Sequence, residues 1–311
     1  MSKFDKLKKA KSLIVLDGPM GTELERRGFN VSDALWSAKL LKENPDAIRQ
    51  IHYDYFKAGA DIVTCASYQA SIPGFLAAGY SEEEAVELIK KSMELAKEAR
   101  ERWRNEDGKA HNRPYPMVAG DIGPYGAFLA DGSEYTGNYY LTKEEYREFH
   151  QRRMQILLEA GAEIFAVETM PKLDEARACA ELLEELGADY WISFTFRNAR
   201  EISDGTALEE VAEGLKGLSH LKAIGVNCTP PEYVQEIITR LRSVWDGDIC
   251  VYPNSGETYD GIRKIWLGAK DGMTFAERLR GWKDAGAGMI GGCCRTKPED
   301  IQKISELSQN L

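Results

Sequence analysis

The stretch "LEAGAEIFAVET", residues 158–169, ends a helical pattern in Ala-Gly-Ala and runs at once into a short apolar segment. A glycine just past a helix takes the left-handed cap at little cost, and a continuous apolar run of this length suits a strand buried on both faces. The phrase recurs as "FKAGADIVTCAS" (56–67) and "KDAGAGMIGGCC" (283–294), with a near match in "LEELGADYWISFTF" (183–196). Collecting all such runs predicts eight strands, at 13–18, 62–67, 117–123, 164–170, 190–196, 223–229, 250–256 and 289–294. Helical patterns separate them. "SEEEAVELIKKSMELAKEAR" (81–100) has Ser81 as its cap, Glu84 three residues on, and an apolar face through Ala85, Ile89, Met93 and Ala96. Strands alternating with helices over this length predict an α/β fold, a (β/α)8 TIM-type barrel, with a doubly wound open sheet as the alternative.

Composition narrows the function classes. The 311 residues are 43% hydrophobic and 29% charged, as in ordinary globular proteins. A formal net charge of -10 leaves no excess of cations to neutralise a phosphate backbone, so no nucleic-acid partner is expected. The opening "MSKFDKLKKAKSLIVLDG" is Lys-rich and then apolar, but the run 13–16 is far shorter than a secretory core, and nothing approaches a membrane span. A cytoplasmic chain is expected, in which six cysteines read as buried residues, metal ligands or catalytic thiols rather than disulfides. Without a Pro/Ser-rich linker, residues 1–311 read as a single domain. Two connections, 124–142 and 257–274, have the length of functional loops.

Active sites of such barrels gather where the strands end. Unusual residues cluster there: Asp17, Gly18, Ser67, Glu168, Thr169, Asn227, Cys228, Asn254, Ser255, Cys293 and Cys294. Cys228 ends the sixth predicted strand, the Cys293–Cys294 pair the eighth, and all three face one mouth. Three thiolates with the fourth position left to substrate are the arrangement of a catalytic zinc. Gly291 and Gly292, lacking Cβ, admit close backbone or substrate approach. Cys65, Cys179 and Cys250 read as core residues, and His52, His111, His150 and His220 lie away from strand ends, none a convincing ligand.

On these residues the chain resembles the zinc-dependent homocysteine S-methyltransferases. The resemblance runs through "LDGPMGTELERRG" (16–28), "SYQAS" (67–71), "GDIGPYGAFLADGSEY" (120–135), "VETMP" (167–171), "GVNCTP" (225–230), "VYPNSGETYD" (251–260) and "GGCCRT" (291–296). Several of these look most like the bacterial and plant enzymes that use S-methylmethionine. The resemblance implies one Zn2+ per chain on Cys228, Cys293 and Cys294, with homocysteine sulfur as fourth ligand and no catalytic residue beyond the zinc-activated substrate thiolate. It assigns Asp17, Gly18 and Glu168 to the amino-acid end of homocysteine, with Asn227, Asn254 and Ser67 as further polar contacts. On the donor side it places Trp36, Tyr68 and Gln69, where Gln69 replaces a tyrosine of the betaine-using branch; Tyr125 and Tyr135 are further aromatic candidates. The implied partners are the small molecules homocysteine and S-methylmethionine, giving methionine. Rival donors are S-adenosylmethionine, betaine and methylfolate, selenium analogues rival homocysteine as acceptor, and a non-catalytic zinc-binding barrel is the alternative of another class.

Overall fold

The computed structural model describes residues 1–31, 35–108, 113–260, 265–269 and 271–311; the side chains at 36, 258–260, 265, 266 and 268 lie outside that description. Trp36 is thereby placed by its backbone only, and His111 falls outside altogether. Eight strands form the barrel: β1 (Ile14–Val15), β2 (Ile62–Thr64), β3 (Met117–Ile122), β4 (Ile164–Met170), β5 (Tyr190–Phe194), β6 (Leu221–Asn227), β7 (Asp248–Tyr252) and β8 (Met289–Ile290). From β2 to β8 each strand pairs in parallel with the next, and β8 pairs in parallel with β1. A parallel bridge between Leu16 and Ile62 closes the ring.

Both faces of the strands are apolar for different reasons. Ile14, Met117, Ile164, Trp191, Cys250 and Met289 pack inside the barrel, where Phe4 and Leu7 of the helix Lys3–Ala10 join them from below. The intervening residues Val15, Val63, Val118, Phe165 and Ile192 pack outward against the helices. Cys65 and Cys179 lie in that outer core, so the three cysteines read as packing residues are all buried.

The repeated Gly-Ala-acid phrase has a physical use. Gly59 (φ 115°), Gly161 (φ 91°) and Gly187 (φ 64°) take the left-handed conformation ahead of Asp61, Glu163 and Asp189, and Gly286 (φ 118°) takes it without a following acid. The acid two residues after the glycine then pins the start of the strand. Asp61 accepts from Val15 N at 2.9 Å and Lys11 Nζ at 2.8 Å, and Glu163 accepts from Val118 N at 2.8 Å and Arg100 at 2.6 Å. This end of the barrel is held by ion pairs, leaving the opposite end for chemistry. The capping box at Ser81 and Glu84 forms as its sequence predicts.

Several of the apolar runs outlast their strands. The runs at 13–18, 62–67, 250–256 and 289–294 contribute only two or three ladder residues each. Their last residues leave the sheet to build the mouth: Gly292 N donates to Asp17 O at 3.0 Å and Cys293 N to Pro253 O at 2.8 Å. A Cβ on Gly291 would stand 2.6 Å from Leu16 Cβ, so that glycine serves close strand packing. The connection 124–142 folds into a short helix, Tyr125–Leu129, and a 3-10 turn, Ser133–Tyr135, while 257–274 contains an antiparallel pair of strands, Glu257–Asp260 and Ile265–Ala269. Among the described residues no helix is long and apolar enough to cross a membrane.

Candidate active site

A cavity of about 280 Å³ opens at the C-terminal ends of the strands. One wall carries sulfur. Cys228, Cys293 and Cys294 place their Sγ atoms within 4.8 Å of one another, the only such group of three potential ligands among the described residues. Cys228 sits in the left-handed region at φ 45°, a conformation costing a non-glycine residue roughly 1–2 kcal/mol. Cys228 and Cys293 are bonded to each other, with Cα atoms 5.5 Å apart, and the Cys294 Sγ lies 3.7 Å from that of Cys228. This pairing differs from the expectation of free thiols. A disulfide and a shared metal are alternatives for the same atoms, because a ligand must be a thiolate. Burial pushes the Cys294 thiol up to about 11, so a thiolate here needs a cation beside it. Three converging sulfurs on a substrate-sized cavity fit zinc with an open position.

Carboxylates form the floor. Asp17 follows β1, Asp121 lies on β3 and Glu168 on β4, and all three line the cavity. Asp17 Oδ2 accepts from Thr64 N at 2.9 Å. The Tyr252 hydroxyl stands by Glu168 and favours its ionised form, while it receives Trp191 Nε1 at 3.0 Å and bonds Ser193 Oγ. Burial raises Glu168 to about 7 and lifts Asp17 well above the usual carboxylate range, with the charge of Glu168 adding to the latter. Such a floor attracts an ammonium, whose charge would stabilise the ionised acids.

Glu168 is aimed inward by local irregularity. The β4–β5 register shifts between Val167 and Met170, and Thr169 takes φ 60°. Asn227 holds that kink: Thr169 N donates to Asn227 Oδ1 and Asn227 Nδ2 donates to Thr169 Oγ1, both at 2.8 Å. Asn227 is therefore committed to the frame. Ser67 is too, since its hydroxyl donates to Asp121 O at 2.7 Å. Asn254 follows Pro253, whose O accepts from Cys293 N at 2.8 Å, and its own N donates to Thr229 O at 3.2 Å, but it does not line the cavity. Gly18, Tyr68 and Gln69 do line it, together with Tyr135. Tyr125 packs instead with Phe128, Tyr139 and Phe149.

Sequence reasoning missed Asp121, Glu134 and Tyr252, all of which face the cavity. Asp121 and Tyr252 lie near strand ends, where the positional rule applies, but an apolar run around each hides the polar residue. His150, read from the sequence as no ligand, is not on the cavity wall. That ring is fully buried, bonded through Nε2 to Glu175 Oε1 at 2.8 Å and through Nδ1 to Arg153 at 3.0 Å. Arg153 continues to Tyr68 O at 3.1 Å and Gly123 O at 2.8 Å, so outer helices hold the turns after β2 and β3.

Comparison with known proteins agrees with this geometry. The family model described as homocysteine S-methyltransferase matches residues 14–308. The chain is 49% identical over 300 residues to the homocysteine S-methyltransferase YbgG of Bacillus subtilis, covering 96% of this chain and 95% of that protein. The crystal structure of the Escherichia coli homocysteine methyltransferase MmuM in its metallated form superposes with a TM-score of 0.87 at 43% identity, covering 97% of this chain and 99% of that one. The same protein in its oxidized form gives 0.86 at 43% identity, covering 99% and 98%. A match of this length and identity, carried by a barrel whose strand ends hold the three converging cysteines, places the chain in the homocysteine S-methyltransferase family.

Proposed function

We propose that the chain, acting as one domain over residues 1–311, transfers a methyl group from S-methylmethionine to homocysteine with zinc held by Cys228, Cys293 and Cys294. The observation that carries this reading is one cavity with three sulfurs on one wall and buried carboxylates on its floor. Zinc, when bound, supplies the positive charge that keeps these sulfurs and an incoming substrate thiol in the thiolate form at neutral pH. Asp17 and Glu168 take the homocysteine ammonium, one oriented by Thr64 and the other by Tyr252. The rings of Tyr68 and Tyr135 line the cavity and offer faces to a sulfonium.

The transfer then balances without proton traffic. The donor's S–CH3 bond breaks and its electron pair stays on the donor sulfur as a neutral thioether. A lone pair of the homocysteine thiolate makes the new S–CH3 bond, so both products are methionine. Charge is dispersed as anion and cation become neutral groups, which favours a cavity that excludes water. No side chain has to act as general acid or base. A cytoplasmic setting suits this chemistry, since thiols stay reduced there.

Two measurements test the reading. With reduced, zinc-loaded protein and homocysteine, S-methylmethionine should give a higher kcat/KM than S-adenosylmethionine or betaine. Faster turnover with either rival would assign the chain to another donor. Glu168→Gln should keep about one zinc per chain while raising the homocysteine KM roughly 10- to 100-fold, the loss of one charge-assisted hydrogen bond. An unchanged KM would remove Glu168 from the acceptor's site.

A further inference from the structure

We infer that Asp121 holds the α-ammonium of the methyl donor and so makes the cavity selective for sulfonium donors that are amino acids. The inference rests on the proposed methyl transfer from a sulfonium. Of the three carboxylates on the floor, Asp17 is bonded to Thr64, and Glu168 has the Tyr252 hydroxyl beside it to favour its ionised form. Asp121 is only 5% exposed, lines the cavity, and its Oδ1 has no hydrogen-bond partner among the described residues.

Its main chain leaves little room to find one. Asp121 N donates to Ser67 Oγ at 3.2 Å while the same hydroxyl donates to Asp121 O at 2.7 Å. The nearby cation, Arg153, directs its terminal nitrogens at Tyr68 O, Gly123 O and His150. An orphaned carboxylate oxygen buried in a protein carries a desolvation penalty that a ligand with N–H donors removes.

Two further acceptors stand without partners on this side of the cavity, Gln69 Oε1 after β2 and Glu134 Oε2 in the loop after β3. The ends of β2 and β3 thus form a cation-seeking wall distinct from the sulfur wall supplied by the ends of β6 and β8. Homocysteine brings one ammonium, for which Asp17 and Glu168 suffice. An amino-acid sulfonium brings two positive groups. Its sulfonium has no N–H and is served by aromatic faces, whereas its ammonium has three N–H donors and is the group that satisfies a bare carboxylate oxygen.

The test uses Asp121→Asn, which keeps the shape and removes the charge, in the full zinc-loaded chain. The KM for S-methylmethionine should rise roughly 10- to 100-fold, the homocysteine KM should stay within about twofold, and the melting temperature should be unchanged or higher because a buried unpaired charge is gone. An unchanged S-methylmethionine KM, or a homocysteine KM that rises as much, overturns the inference. A lowered melting temperature would point to a structural role, and Asp121→Ser then decides by the same split between the two KM values. Should the wild-type protein prefer S-adenosylmethionine, the proposed donor is wrong, yet the loss in Asp121→Asn should follow that amino-acid donor. Wild-type turnover with betaine alone overturns both.

Discussion

Cys293→Ala, Cys228→Ala and Cys294→Ala should each release the metal and lower activity by about 1000-fold or more, the scale of several kcal/mol of metal assistance. The three Sγ atoms lie within 4.8 Å of one another, and among the described residues no other His, Cys, Asp or Glu joins them to make a set. Two remaining thiolates are too few for a site that must keep one position for substrate. The bonded pair Cys228–Cys293 sets a condition on the measurement, since those sulfurs bind metal only when reduced. Reduced protein should therefore take up about one zinc per chain by elemental analysis, and each variant close to none. Cys179→Ala is the control: that thiol is buried in the helix Leu173–Leu186, and its loss should leave zinc and turnover intact. Full activity in Cys293→Ala would remove the metal from the chemistry.

The second large effect is on stability. Glu175→Ala should destabilise the fold by about 3–5 kcal/mol, read as a lower urea midpoint with little change in slope. Glu175 is fully buried and accepts from Tyr125 N, the Tyr139 hydroxyl and His150 Nε2. Its removal leaves those groups unpaired and also takes away the carboxylate that reaches the buried Arg153 guanidinium through His150. Because Arg153 carries the carbonyls of Tyr68 and Gly123, turnover should fall as well, through a displaced cavity wall. A loss under about 1 kcal/mol would show that water replaces the network at little cost.

Much of the architecture was legible in local signals. Glycine caps at 59, 187 and 286, apolar runs of strand length and the Ser81 capping box depend on residues a few places apart, so a sequence window contains the whole cause. The convergence of Cys228, Cys293 and Cys294 also followed, because alternating strands and helices imply one mouth. Ser67 and Asn227 were legible as strand-end residues, but the structure commits their polar atoms to Asp121 and Thr169 rather than to the cavity.

By itself, then, the sequence determined the (β/α)8 order, the polarity of the barrel and the sulfur-bearing ends, all set by chain-local propensity and by the fixed handedness of parallel strand connections. The tertiary structure alone decided which polar residues line the cavity and which hold its frame. Thr169 meets Asn227 across 58 residues, Asp121 meets Ser67 across 54, and Arg153 meets Tyr68 across 85. Such contacts arise only when strands are laid side by side in one register, and a hydrogen bond satisfied or left open by that register is invisible in the order of residues along the chain.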